Sequence, residues 1–254
     1  MLGRLRALAR RLLGVERVPT YYLPWLTRPG LECVVLLNNI ESRFTSGRTA
    51  TALAATLTQH DADGRVVAVH RGTLADSTAT CEVPVTPTAA GHGFVTVAAE
   101  GIKSDLYVAL VSGEAYAATH GRHEFVERYP AWTRALLAVA GALLAPGGRT
   151  VPAFTRDPYV YHGADSRSHV LLLNLSNVVN RIRVLATRDG ARRARLVRVS
   201  PMGAAVVDVA ALAPAAGPLA VTRLRLTGNA WFNLYLVGAG PRDLEGALSL
   251  MHVK

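Results

Sequence analysis

Cysteine, lysine and aromatic side chains are scarce in this chain of 254 residues, and each shortage closes off a class of readings. Two cysteines, Cys33 and Cys81, are too few for a disulfide framework or a paired-cysteine metal motif. On strand-like segments in a reducing compartment they read as small buried hydrophobes. Lysine occurs only at Lys103 and Lys254, so arginine supplies nearly all of the 28 basic residues, a bias typical of a GC-rich bacterial genome. Aromatics make up 6% of the chain, which leaves few platforms on which the bases of a single-stranded nucleic acid could stack. No Gly-rich phosphate loop and no nucleophile elbow occurs, so no motif names a reaction. No uninterrupted apolar run approaches the ~20 residues of a bilayer-crossing helix. The first residues lack the apolar core and cleavage site of a secretory signal, so export by that route is not expected.

What is present describes a folded protein. Half the residues are hydrophobic and 18% are charged, and the length suffices for one large domain or two ordinary ones. The net charge of +10 is unevenly spread. Lys plus Arg against Asp plus Glu is 5 to 1 over residues 1–17, 7 to 10 over 18–125, 3 to 1 over 126–150 and 13 to 6 over 151–254. The N-terminus and the second half carry the positive charge, as a surface facing an anionic partner would.

The chain writes one phrase twice. "CVVLLNNIE" at 33–41 returns as "HVLLLNLSN" at 169–177, and the likeness continues through "TQHDADG" against "LATRDG" and "SDLYVALVSG" against "AWFNLYLVGA". Asn38 and Asn174 lie 136 apart, whereas Gly64 and Gly190, Val83 and Val209, and Val111 and Val237 all lie 126 apart. An insertion in the first copy, near "SRFTSGRTAT", accounts for the change, and the pattern reads as a tandem duplication. Within each copy the hydrophobic period is two. Ile182, Val184 and Ala186 alternate with Arg181, Arg183 and Leu185, and Asp63-Gly64 and Asp189-Gly190 mark tight hairpins. The expected fold is all-β: two antiparallel β-sandwiches of the Ig-like or transducer-like kind, over 18–125 and 151–254. "ERYPAWTRALLAVAGALLAPGG" joins them over 126–150 as a helix bounded by Pro130 and by Pro146-Gly147-Gly148, expected to lie buried against one or both sandwiches, with an interfacial or partner-binding helix as the alternative.

Residues 1–17 form an amphipathic helix on a helical wheel. Leu2, Leu5, Leu8, Leu12 and Leu13 share one arc with Ala9, and Arg4, Arg6, Arg10, Arg11 and Arg17 share the other. Such a helix suits first an anionic lipid surface or a membrane protein, then docking on its own sandwich, then a role as a targeting segment. A second basic feature is the cluster Arg181, Arg183, Arg192, Arg193, Arg195 and Arg198, with Arg223 and Arg225, which places several arginines on one sheet face for an anionic partner or simply keeps strands soluble. Weaker signals resolve into structure. His120, His123 and Glu124 have no evident third metal ligand. "DADG" lacks the closing glutamate of a calcium loop, Gly72 standing there. "NLS" at Asn174 matches a glycosylation acceptor that is irrelevant without export. Tyr21, Tyr22 and Trp25, and Tyr159 and Tyr161, precede the first strand of each copy and are expected to cover the sandwich ends.

The order within each copy is a strand ending in "LLN", a hairpin centred on Asp-Gly, a strand closed by "VVDVAAL", and a last apolar strand. This resembles the small β-sandwich of the sensory rhodopsin transducer family, over roughly 200 residues in two copies. The resemblance implies a non-enzymatic module that docks on a membrane protein. The sequence thus points to a non-catalytic accessory or scaffolding subunit at the cytoplasmic face of a bacterial integral membrane complex, with that complex and an anionic lipid surface as partners. No metal, cofactor, small-molecule substrate or nucleic acid is expected. The alternatives are a soluble module for carbohydrate or another polymer, and a nucleic-acid-binding protein using the basic second half.

Overall fold

A computed structural model of the chain describes residues 12–38, 52–74, 80–99, 106–113, 115–214, 217–240 and 249–253. Leu2, Arg4, Leu5, Arg6, Leu8, Arg10 and Arg11, and the insertion near 42–51, lie outside these. The first half contains β1 (Glu16–Leu26), β2 (Glu32–Asn38), β3 (Leu53–Asp61), β4 (Val66–Leu74), β5 (Thr80–Pro84), β6 (His92–Ala99), β7 (Leu106–Ser112), β8 (Ala115–His120) and β9 (Arg122–Arg128). Helix α1 (Ala131–Leu144) follows, closed by one 3-10 turn at Ala145–Gly147. The second half contains β10 (Phe154–Arg156), β11 (Tyr159–His162), β12 (Arg167–Asn174), β13 (Asn180–Arg188), β14 (Ala191–Val199), β15 (Ala204–Asp208), helix α2 (Val209–Leu212), β16 (Ala220–Gly228), β17 (Phe232–Ala239) and β18 (Ser249–His252).

Four antiparallel sheets result, in the orders β4-β3-β6-β1-β9, β5-β2-β7-β8, β14-β13-β16 with β10 and β11 on the outer side of β16, and β15-β12-β17-β18. Counted along the chain, the strand order of the first two sheets recurs in the last two, with β1 replaced by the pair β10 and β11 and β9 added to the first half. The turns carry the expected chemistry. Asp61 accepts the N–H groups of Asp63 and Arg65, and Gly64 (φ +82°) and Gly190 (φ +79°) occupy the left-handed region that a side chain resists. Asp208, the aspartate of "VVDVAAL", caps α2 by accepting from the Ala210 N–H at 2.8 Å.

The two copies of the repeated phrase meet different surroundings. In β2 burial alternates, with Cys33, Val35 and Leu37 inward. In β12 it does not: Val170 and Leu172 join the core of the second half, while Leu171 and Leu173 join a core shared with Leu23, Trp25, Val35 and Phe94 of the first. Strand β17 is divided likewise, with Leu234 on one side and Tyr235 and Val237 on the other. The β15-β12-β17-β18 sheet is therefore covered on both faces, each fully buried leucine contributing about 1.5–3 kcal/mol. Backbone bonds continue the join. Glu127 N–H donates to the Leu175 carbonyl (2.9 Å), and Ala204 N–H to that of Ala62 (3.1 Å). Gly64 and Gly203 permit this contact, since a Cβ at either would lie within 2.3 Å of a carbonyl oxygen across it, Pro201 O or Ala62 O.

Three expectations are corrected. The segment expected to be helical to residue 17 becomes a strand at Glu16, and Arg17 sits in register with Glu127 on β9. Tyr22 and Trp25 are core residues, Trp25 donating its indole N–H to the His60 carbonyl at 2.9 Å, whereas Tyr159 and Tyr161 are exposed on β11. Helix α1 occupies its expected place and rests on the body along one stripe, but most of its residues are exposed instead of buried.

Candidate functional site

Helix α1 is docked along one stripe. Thr133, Leu137 and Gly141 follow at intervals of four and face the body. Thr133 Oγ1 donates to the Leu13 carbonyl at 2.8 Å, and Leu137 packs on a small cluster of Tyr129, Val178, Ala230 and Val15. At Gly141 the Arg181 guanidinium lies so close that a Cβ would be 2.3 Å from its Nη1, so this glycine is a docking notch. The remaining arc faces outward and carries Ala131, Trp132, Ala135, Leu136, Ala138, Val139, Ala142 and Leu143, all exposed. Trp132 is 54% exposed, Leu136 53%, Val139 59% and Leu143 77%. Their spacing of i, i+4, i+7 and i+11 makes one continuous ridge. Arg134 is the only charged residue of the helix.

The ridge stands among arginines. A cleft of about 410 Å³ on one flank of α1 is lined by Arg134, Arg181 and Arg198, and one of about 680 Å³ near its C-terminal end by Arg149, Arg183 and Arg195. Neither is lined by an acidic residue among the described residues. Leu12, 72% exposed, and Leu13, held by Thr133, adjoin the start of the helix, where Gly14 (φ +63°) turns against Pro130. Of the nine N-terminal contact residues expected from the sequence, these two are the ones described.

The arginine cluster divides by register. Arg181 pairs with Arg198, Thr187 with Arg192, and Arg183 with Leu196, so Arg181, Arg183, Arg192 and Arg198 share the outer face of the β14-β13-β16 sheet. Arg193 pairs with Ala186 and Arg195 with Val184, which gives them the inward parity. Both are exposed all the same, because β14 is an edge strand whose end overhangs the core. Arg223 and Arg225 join the outer face but lean on Asp157, at 3.6 and 2.8 Å. Beside them Tyr159 sits opposite Arg223 and Tyr161 opposite Val221.

Other polar groups serve the join between halves. The buried Glu127 carboxylate accepts from Arg17 Nε (3.2 Å) and Nη2 (3.1 Å) and from the Tyr129 hydroxyl (2.6 Å), and the Arg17 guanidinium lies over the Phe125 ring at 3.9 Å. Asn233 donates to the Tyr22 hydroxyl and to Glu124, which also accepts from Arg122 at 2.5 Å. Burial, with the nearby Glu124 charge, pushes the Tyr22 and Tyr235 phenols far above their ordinary value, so both stay neutral, and the Tyr22 hydroxyl accepts from Asn233. Asn174 is fully buried, its amide donating to the carbonyls of Val178, Val199 and Ser200 while Ser176 donates to its Oδ1, so the "NLS" motif is a loop clasp. Cys33 and Cys81 are free thiols, and burial pushes the Cys33 thiol up to about 12. His123 stacks on Tyr21 at 4.2 Å, and no group of three metal-ligating side chains converges among the described residues. A groove of about 1130 Å³ lies at the β1–β2 turn, but Arg28 there spends its guanidinium on the carbonyls of Thr27, Ala90 and Gly91.

Sequence reasoning put burial of α1 first and an interfacial or partner-binding helix second, and did not identify the residues of its outward face. The signal was available in the spacing of Trp132, Leu136, Val139 and Leu143, but an uncharged run reads as buried until its neighbours are known. No described helix is long and apolar enough to cross a membrane. No protein-family model matches the sequence, and no curated protein matches it.

Proposed function

We propose that this chain is a non-catalytic docking and scaffolding subunit of an integral membrane complex, held at the cytoplasmic face of a bacterial membrane and arisen by duplication of one β-sandwich. The carrying observation is where the N-terminal segment joins the body. Leu13 is pinned to Thr133 and Gly14 turns against Pro130, so the Leu/Arg-patterned residues before them connect beside α1 and its arginine-lined clefts. An anchor fixed to a rigid body positions that body at a surface, where a free tail would only tether it. The resemblance of each half to the sensory rhodopsin transducer sandwich, which implies docking on a membrane protein, supports the same reading. The test is flotation with phosphatidylserine-containing vesicles, comparing the full chain with one starting at Leu12. The full chain floats and the shortened one floats markedly less; equal recovery of both in the soluble fraction refutes the anchor.

One observation favours a second reading. Exposed Tyr159 and Tyr161 flank Arg223 on the outer sheet face, an arrangement that suits stacked bases and phosphates of a single strand. That reading requires oligonucleotide binding that falls steeply with salt and weakens when both tyrosines become alanine.

A further inference from the structure

We propose that the outward face of α1 is itself a lipid-inserting ridge, with Trp132, Leu136, Val139 and Leu143 entering the headgroup boundary of an anionic bilayer and flanking arginines holding lipid phosphates. The proposal rests on the membrane-surface reading above and adds to it the element that touches lipid. In water, a surface helix turns its polar side outward. Here Thr133 and Gly141 face the body, and apart from Arg134 on one flank the exposed positions, eight in number, are apolar. The helix has 14 residues, about 21 Å, too short to cross ~30 Å of hydrocarbon but suited to lying in the interface. Trp132 at its N-terminal end places an indole where one side is apolar and the other wet.

Charge selects among occupants. Arg134, Arg181 and Arg198 line one flank of the helix, Arg149, Arg183 and Arg195 its C-terminal end, and neither lining includes an acid. A second copy packed ridge to ridge would bring two such arginine sets together. The segment before Leu12 carries Arg4, Arg6, Arg10 and Arg11 and meets the same repulsion. A protein partner ordinarily forms about one hydrogen bond per 100–200 Å² of interface, yet the ridge itself presents a single polar atom, the indole nitrogen of Trp132, and the other exposed polar side chain of α1, Arg134, stands on the cationic flank. Apolar ridge plus cationic flanks matches acyl boundary plus anionic headgroups. Because Thr133 and the Arg181–Gly141 contact already hold the helix in place, insertion carries no cost of ordering it.

The test measures vesicle binding of the full chain, its Leu136→Glu/Leu143→Glu variant and the chain starting at Leu12, on phosphatidylcholine vesicles with and without phosphatidylserine. Both leucines are exposed, so the glutamate variant keeps the wild-type melting profile. It binds anionic vesicles at least ~10-fold more weakly, whereas a Leu136→Phe/Leu143→Phe variant retains binding. Binding equal to wild type by the glutamate variant, while the shortened chain loses it, overturns the ridge and leaves the N-terminal anchor standing. Loss in the glutamate variant with full binding by the shortened chain supports the ridge and refutes the anchor. Equal binding to neutral vesicles overturns the role of the arginines. A drop from dimer to monomer in light scattering on introducing the glutamates overturns the proposal in favour of a second copy, and no binding by any form overturns both readings.

Discussion

Replacing Arg17 by alanine probes the join between strand β1 and the rest of the body. Glu127 is fully buried, and its carboxylate is balanced by Arg17 and bonded to Tyr129. Breaking a buried pair by removing one partner costs about 3–5 kcal/mol, because the other charge stays behind unpaired. The Arg17 side chain is 32% exposed, so water entering its place solvates Glu127 in part and brings the cost to about 2–3 kcal/mol. Loss of the guanidinium from the Phe125 face adds about 0.5–1 kcal/mol. The sum is about 3 kcal/mol, which at a urea slope of about 3 kcal/mol/M lowers the midpoint by about 1 M. Arg17→Ala, Glu127→Gln and the double variant, followed by urea denaturation, close a double-mutant cycle. Coupling above about 1.5 kcal/mol is expected, with Arg17→Met/Glu127→Leu recovering most of the stability. A loss under about 0.5 kcal/mol for Arg17→Ala, or strict additivity, refutes the reasoning.

Gly64→Ala and Gly190→Ala form a matched pair. Both residues have positive φ, but a Cβ at Gly64 meets Pro201 O while one at Gly190 meets open space. Gly190→Ala should cost about 1–2 kcal/mol and Gly64→Ala clearly more, in thermal or urea melts. Asn174→Ala removes three donations to loop carbonyls and should cost about 3 kcal/mol or more by the same melts. Burial lowers His60, His92 and His162 below the ordinary 6.5, so the unfolded chain takes up protons first as pH falls. Stability should be level between about pH 7 and pH 8 and decline as pH drops through 6.5 toward their lowered values, read as urea midpoints across that range.

The strand-rich architecture was legible because its signals are local. Asp61 and Gly64, Asp189 and Gly190, and the two-residue period of Ile182, Val184 and Ala186 depend only on neighbours along the chain. Pro130 and Gly148 bounded α1 for the same reason. What escaped depends on contacts between distant segments. Arg17 and Glu127 are 110 residues apart, so an arginine assigned to a helix face turned out to neutralise a buried acid. The near-identical phrases of β2 and β12 conceal that one strand has a second covered face and the other does not. Arg193 and Arg195 could not be placed by alternation because the edge position of β14 exposes both parities. The apolar face of α1 looked like core because hydrophobicity alone does not say whether protein or some other apolar medium covers it.

Tryptophan fluorescence addresses lipid contact most directly. Trp25 is 1% exposed and Trp231 half-buried, which leaves Trp132 as the indole open to the surroundings. On anionic vesicles containing lipids brominated near the headgroup end of the chain, emission of the full protein should be quenched and shifted to the blue, and Trp132→Phe should abolish both changes. Unchanged emission from protein demonstrably bound to those vesicles would contradict insertion of α1.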